Sequence, residues 1–405
     1  MRRSAGGGLE YHLLVVVTLG LVAFGLVMVY SASSARAALA ADDPAYYLKR
    51  QAAYAFFGIV ALAVLSRTDY RRLRYLVPPL LLTSFALLLA VLVLGTPVNG
   101  AKRWLTFGPA TLQPSELAKL ALVLWVAAYL SRSAAPRSLG ELIRPIGIVF
   151  GAAIALILVE PDLGTAISIV VMLAAVLVVA GTRLSTLAGA GAIALSLIAA
   201  AIWLEPYRRE RILSFLDPWQ DPQGTGFQSV QAMLALGSGG FFGVGLGEGV
   251  QKVYYLPEAS TDMIFAIIGE ELGLFGAFAV LAAFVVLGYA GFNVALACRD
   301  PFGKLLAAGI TALICGQAAV NVSAVMGLAP LTGIPLPFVS YGGSSLVVML
   351  ASVGILLNIA VNHAAESSAK VPDRRRRNGG SRAARARGRR VAAEPRRVRH
   401  ARRSA

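Results

Sequence analysis

Histidine, cysteine and charge are all scarce in this chain. Its three histidines, His12, His363 and His400, fall at or beyond the ends of apolar runs, which argues against histidine-based catalysis or a histidine metal centre. Its two cysteines, Cys298 and Cys315, have neither zinc spacing nor the makings of a disulfide framework. Only 14% of its 405 residues are charged, where soluble domains carry about 25%. Hydrophobic residues make up 57% and the mean hydropathy is +0.70. These figures exclude disordered, collagen-like, coiled-coil and small disulfide-stapled proteins, and they point to the membrane. No small-residue cleavage site follows a short apolar core near the start, so the first apolar run reads as a span and not a signal peptide.

Acidic residues are also few. The 37 Lys and Arg against 21 Asp and Glu leave a net charge of +16. Fifteen of the basic residues and three of the acidic ones lie in the last 42 residues, a local charge of +12. The basic character thus belongs to a tail, residues 363–405, and nucleic acid is not the implied partner. The tail reads as a disordered cytoplasmic arm drawn to anionic lipid, at about 1 kcal/mol per basic residue near the surface. An acidic partner or a simple topology anchor are the other readings.

What the chain has is long apolar runs. Spans are expected near Leu13–Ser31, Ala52–Ser66, Leu76–Gly95, Leu112–Leu130, Ile143–Val159, Gly164–Val179, Leu187–Leu204, Met263–Ala297, Leu305–Met326 and Ser344–Val361. That is an all-α integral membrane protein with ten transmembrane helices. With the N-terminus inside, 27 Lys and Arg fall on the cytoplasmic side and 9 outside, so both termini are placed in the cytoplasm. Residues 1–11 form the cytoplasmic N-terminus and residues 12–362 the membrane domain. One extracytoplasmic loop, residues 205–261, is far longer than the rest. It carries Trp219, Phe227, Phe241, Phe242, Tyr254 and Tyr255, too aromatic for disorder. Within it, Phe227–Leu236 has helical periodicity and suits a short interfacial helix.

Several polar groups break these patterns. Glu116 and Lys119 lie three apart in the fourth span, on one helix face. They can form a structural ion pair, or line a polar cavity in which Lys119 meets an anionic head group; an intramembrane charge invites the second reading. Glu160-Pro161-Asp162-Leu163-Gly164 forms a tight outside turn, where the carboxylates can hold a cation or sugar and Asp162 can cap a helix. Asp262 precedes the eighth span, where an acid serves either as a helix cap or as a general base. The start of that span, with Glu270 and Glu271, is placed at or above the membrane surface. The glycine run Gly237–Gly249 is no phosphate loop, because Gly-Lys-Ser/Thr is missing and no strand precedes it. The uncharged loop Pro330–Gly343 reads as a packed turn.

Together these segments resemble a known family. Tyr255-Leu256-Pro257-Glu258-Ala259, Thr261-Asp262, Ile264-Phe265-Ala266-Ile267-Ile268-Gly269-Glu270-Glu271-Leu272-Gly273, Gly237-Ser238-Gly239-Gly240, Asp217-Pro218-Trp219, Glu160-Pro161-Asp162-Leu163-Gly164, Gln113-Pro114-Ser115-Glu116 with Lys119, and Pro337-Phe338-Val339-Ser340-Tyr341-Gly342-Gly343 are similar to motifs of the SEDS proteins of shape, elongation, division and sporulation. The likeness covers roughly residues 10–362. The form of residues 267–271 is closer to the division member than to the elongation member. The basic tail and the Ala/Arg/Gly-rich composition suit division members of high-GC Gram-positive bacteria. Two departures stand out: Ser260 where members often have His, and Met263 where they often have Phe.

The resemblance implies a peptidoglycan glycosyltransferase that polymerises lipid II at the outer face of the cytoplasmic membrane, at the septum. It carries the catalytic acid onto Asp262, as general base in one inverting displacement from undecaprenyl-pyrophosphate-linked glycan. Candidates for binding substrate and neutralising the departing pyrophosphate are Lys119, Arg103, Arg208, Arg211 and Lys252, with a divalent cation (Mg or Mn) as a further candidate and no metal ligand assigned. Glu116, Gln228, Glu258, Ser340 and Tyr341 complete the substrate set. The partners implied are a class B penicillin-binding transpeptidase, with the eighth and ninth spans as its guessed face, and other divisome proteins. The isoprenoid chains call for a hydrophobic groove open to lipid. A lipid II flippase and a non-catalytic scaffold for the transpeptidase are the competing readings.

Overall fold

The computed structural model describes residues 8–41, 43–98, 101–108, 110–253 and 255–369, without the side chains of residues 36, 39–41, 207–208 and 363–369. The expectations for the first seven residues and for residues 370–405 of the basic tail lie outside the described residues. The chain is overwhelmingly helical, as apolar segments must be where only helices or closed barrels satisfy their own backbone. The first helices are α1 (Gly8–Ala41), α2 (Tyr46–Arg67) and α3 (Leu73–Leu94). At 34 residues α1 is about 51 Å long, so it extends well past the expected Leu13–Ser31.

Between α3 and the next helix lies an element that the apolar pattern does not announce. Strands β1 (Thr96–Val98), β2 (Ala101–Phe107) and β3 (Ala110–Leu112) form a small antiparallel sheet in the order β1-β2-β3. Thr96 faces Trp104 and Leu105 faces Leu112. This corrects the fourth span, which starts at Pro114 and not at Leu112. The helix α4 (Pro114–Leu130) opens with proline at its first position, where no backbone N–H is lost.

The remaining helices are α5 (Leu139–Leu142), α6 (Ile148–Val159), α7 (Leu163–Ala180), α8 (Leu184–Trp203), α9 (Pro206–Leu216), α10 (Phe227–Ser238), α11 (Ile264–Ala297), α12 (Pro301–Val325) and α13 (Gly343–Ala369). Between α5 and α6 the chain kinks at Arg144 (φ −112°, ψ 111°), because the following Pro145 disfavours the helical conformation there. Gly181 ends α7 with φ +85°. Asp300 caps α12, accepting from the Gly303 N–H at 3.2 Å.

Each expected span has a counterpart helix. Among the described residues nine are long and apolar enough to cross a membrane. The tenth counterpart, α4, has 17 residues, at the lower limit of about 17 for a span. It is buried nearly throughout, packed against α3 and α12. The centre is formed by α4, α12 and α13, with α2 against α13, α7 against α12, and α1 against α11. The long segment 205–261 is not an open loop: it holds α9 and α10, and α10 packs on α11, with Leu236 against Gly269.

Candidate active site

Asp262 sits in a tight turn just ahead of α11. The turn is made by Glu258, whose φ of +55° is a left-handed conformation rare outside glycine. The Glu258 carbonyl accepts from Thr261 N at 3.0 Å and Met263 N at 3.3 Å. The Thr261 hydroxyl lies 2.9 Å from Glu258 Oε2 and 3.3 Å from Asp262 Oδ1, so one hydroxyl bridges two carboxylates. Strained backbone of this kind costs about 1–3 kcal/mol and gathers at functional sites. The helix-cap reading of Asp262 does not hold: the N-cap position is Met263, and no side chain caps α11.

Burial pushes the Asp262 carboxyl up to about 7, and the neighbouring Glu258 adds to the rise, while Arg211 and the Thr261 hydroxyl oppose it. The Arg211 guanidinium donates from Nη1 to the Leu331 carbonyl at 3.0 Å. It thereby ties α9 to the loop of residues 330–343. That loop passes directly over the acid: a Cβ on Gly333 would lie 3.9 Å from Asp262 Oδ2. Tyr341 N donates to the Ser260 carbonyl at 2.8 Å. The buried Ser340 Oγ accepts from Leu336 N at 2.8 Å, so its hydroxyl shapes the loop. Asp262, Glu258, Arg211, Ser340 and Tyr341 are therefore brought together.

Behind them runs a column of buried polar side chains. Lys119 Nζ lies 2.9 Å from Glu116 Oε1 and 2.6 Å from Gln317 Oε1, with both charged side chains almost fully enclosed. Gln317 Nε2 donates to the Pro335 carbonyl at 2.9 Å. One helical turn on, Asn321 Nδ2 donates to the carbonyls of Asp262 (2.7 Å) and Ile334 (2.8 Å). Of the two readings of the Glu116–Lys119 pair, this geometry favours the structural pin. Gln317, Asn321 and Gln51, which binds the Ser340 carbonyl at 3.0 Å, were not among the expected site residues. For Gln317 and Asn321 the signal is an amide inside an otherwise apolar helix.

The other candidate cations are elsewhere. Arg103, on β2, donates from Nε to the Glu160 carbonyl at 2.9 Å and from Nη2 to the Pro161 carbonyl. In the same turn Asp162 does cap α7, accepting from Thr165 N at 3.0 Å, and it also holds Gln113 Nε2 at 3.2 Å. Lys252 is buried against Glu271 (2.6 Å), Ser31 Oγ (3.1 Å) and the Gly247 carbonyl (2.6 Å). Such full engagement corrects its assignment as a pyrophosphate ligand. Gln228 lies at the start of α10, partly exposed, with no side-chain hydrogen bond among the described residues. The Arg208 side chain lies outside the described residues.

The glycine run serves α11. That helix is broken at Gly273 (φ +66°, ψ −161°). The strap of residues 239–249 satisfies the break: Val244 N donates to the Glu270 carbonyl and Gly245 N to the Glu271 carbonyl, both at 3.0 Å. Leu274 N returns a bond to the Gly240 carbonyl at 2.9 Å, and Glu270 Oε1 accepts from Val250 N at 2.7 Å. A Cβ on Gly239 would lie 1.9 Å from the Gly269 carbonyl oxygen, so backbone lies on backbone. Glu270 and Glu271 are thus buried under the strap. Below it, a hydrophobic groove of about 460 Å³ lies between α1 and α11, lined by Val17, Leu21, Phe24, Phe242, Phe275 and Val280.

Known proteins resemble this chain over most of its length. Residues 11–365 match the family model FtsW/RodA/SpoVE, described as cell cycle protein. A protein of Geobacter sp. (strain M18), named probable peptidoglycan glycosyltransferase FtsW, is 43% identical over 363 residues, covering 89% of this chain and 98% of its own. Stage V sporulation protein E of Bacillus subtilis (strain 168) is 42% identical over 354 residues, covering 86% of this chain and 96% of its own. Among solved structures, a chain from a study titled "Structural coordination of polymerization and crosslinking by a peptidoglycan synthase complex" superposes with a TM-score of 0.70 at 33% identity. It covers 86% of this chain and 97% of its own. Rod shape determining protein RodA of Thermus thermophilus does so with a TM-score of 0.64 at 30% identity, covering 86% and 96%.

Proposed function

The chain belongs to the FtsW/RodA/SpoVE family of cell cycle proteins, and from that footing we propose that it polymerises lipid II into peptidoglycan glycan strands, with Asp262 as general base. It is a multi-pass membrane protein and a glycosyltransferase. The finer reading is ten spans with both termini in the cytoplasm, which puts Asp262 at the outer face of the plasma membrane, at the division septum. The partner is a class B penicillin-binding transpeptidase, alongside other divisome proteins.

The observation that carries the reading is the Asp262 turn. A general base works best with a pKa near the working pH, and the Asp262 carboxyl is raised to about 7 by burial and by Glu258. In the reaction the 4-hydroxyl of the acceptor GlcNAc loses its proton to an Asp262 carboxylate oxygen. Its oxygen bonds to C1 of the donor MurNAc while the C1–O bond to pyrophosphate breaks, the electron pair leaving with the diphosphate. The configuration at C1 inverts. Arg211, fixed on the Leu331 carbonyl, favours the ionised, proton-accepting form of Asp262. Glu258 holds the Asp262 turn and raises the basicity of its neighbour. The groove between α1 and α11 suits an isoprenoid chain. Among the described residues no three His, Cys, Asp or Glu side chains gather as metal ligands, and no step here is assigned to a divalent cation.

The test is lipid II polymerisation in liposomes by the full chain with its transpeptidase partner, comparing wild type with Asp262→Asn. Glycan from the wild type and none from the variant is expected. Equal glycan from both removes Asp262 as the base. No glycan from either, with lipid II crossing the bilayer, replaces the polymerase by a flippase.

A further inference from the structure

Glu160 is a buried carboxylate that the reaction above leaves unused. It lies in the turn between α6 and α7, 1% exposed, and neither carboxylate oxygen has a hydrogen-bond partner among the described residues. An ionised carboxylate so placed is unfavourable. Two charged groups face it: Asp162 in the same turn disfavours its charge, and Arg103 from β2 favours it. Burial, with Asp162 adding to it, outweighs Arg103, and the carboxyl is pushed up to about 8. Asp162 offers no relief, because its oxygens already accept from Thr165 and Gln113.

Arg103 is the unusual member. Its guanidinium lies at the Glu160 turn, yet it binds carbonyls there and not a carboxylate. Nε and Nη2 are fixed on the Glu160 and Pro161 carbonyls, while Nη1 makes no hydrogen bond among the described residues. Carbonyls orient the guanidinium without cancelling its charge. The side chain is partly exposed. An aimed, uncompensated guanidinium of this kind binds oxyanions strongly.

We propose that Glu160 is a proton-controlled gate on Arg103: while neutral it leaves the guanidinium on the turn carbonyls, open to a phosphate or diphosphate oxygen, and once ionised it draws the guanidinium into an ion pair and closes the site. The identity of the anion as part of a lipid-linked diphosphate rests on the glycosyltransferase reading; the gate itself does not.

The experiment is calorimetric titration of the purified full chain with inorganic pyrophosphate from roughly pH 6.5 to 9.5, for wild type, Glu160→Gln and Arg103→Gln. Because the probe itself titrates in this range, the readout is the difference between wild type and Glu160→Gln. The wild type is expected to lose about tenfold more affinity than Glu160→Gln across the range, a difference of about 1.4 kcal/mol. Arg103→Gln is expected to bind weakly throughout. Matching profiles for wild type and Glu160→Gln overturn the gate, as does wild-type affinity in Arg103→Gln. Thermal melting supplies a second readout that needs no anion. A carboxyl whose pKa is raised on folding loses stability as pH rises from its unfolded value toward about 8, so the wild type should decline more steeply than Glu160→Gln, which keeps only the decline that Asp262 contributes up to about 7. Equal slopes overturn the neutral Glu160. A wild type that polymerises lipid II without the pH-dependent difference sinks the gate alone; one that shows the difference but makes no glycan sinks the polymerase reading alone.

Discussion

Asn321 holds Asp262 by its backbone. A single side-chain amide near the C-terminal end of α12 donates to the carbonyl of Asp262 at 2.7 Å and to that of Ile334 at 2.8 Å, so the acid and the loop passing over it share one anchor. Asn321→Leu frees both carbonyls and lets the acid drift, and a displacement of about 1 Å can cost a hundredfold in rate. We expect kcat to fall about ten- to a hundredfold with KM little changed. A fall in KM-dependent binding with intact kcat would show that Asn321 shapes the substrate cleft instead.

Asp262→Asn should lower polymerisation by at least about a hundredfold, the usual scale of a lost general base. It should not unfold the protein. Because burial raises the carboxyl to about 7 on folding, native stability declines as pH rises from the unfolded value toward 7 and stays lowered above it. The neutral amide removes that decline, so the variant should melt no lower than wild type at pH 8. A lower melting temperature there would mean that the ionised acid is structurally required.

The acid limb of the pH–rate profile should follow the same group. Activity is expected to rise through about pH 7 as Asp262 loses its proton. Glu258→Gln removes the like charge that adds to the rise, so the midpoint should move to lower pH. A profile in which Glu258→Gln leaves the midpoint in place would detach Glu258 from the base.

Lys119→Met should destabilise the protein by about 3–5 kcal/mol, since it strands the Glu116 carboxylate in a buried site. Glu116→Gln together with Lys119→Met should recover most of the melting temperature. Recovery of melting without recovery of glycan synthesis would give Lys119 a role in the chemistry beyond its structural pin.

The ten apolar runs were legible because lipid imposes the same demand along each helix, and the acid before α11 was legible as a carboxylate at the head of an apolar run. Other features depend on contacts that no local pattern records. The sheet of residues 96–112 has two strands of three residues, too short for an alternating signal, and a seven-residue strand, Ala101–Phe107, whose buried and exposed positions do not alternate. Lys252 looked like a free cation because its partner Glu271 lies 19 residues away, across a turn and a helix start. Gly273 hid in an apolar stretch whose periodicity continues through the break. The Gln317–Asn321 spacing could have been read, since two amides four apart on a buried helix need partners.

Surface loops usually accept insertions and deletions, because their backbone turns to water for its hydrogen bonds. The glycine strap is a different kind of loop. Its N–H groups at Val244 and Gly245 meet the carbonyls of Glu270 and Glu271 one for one, with Gly239 flush against Gly269. Adding or removing a single residue between them would shift every pairing by one place and strand the carbonyls of a broken helix away from water. The segment is therefore length-locked, and single-residue indels there should be rejected.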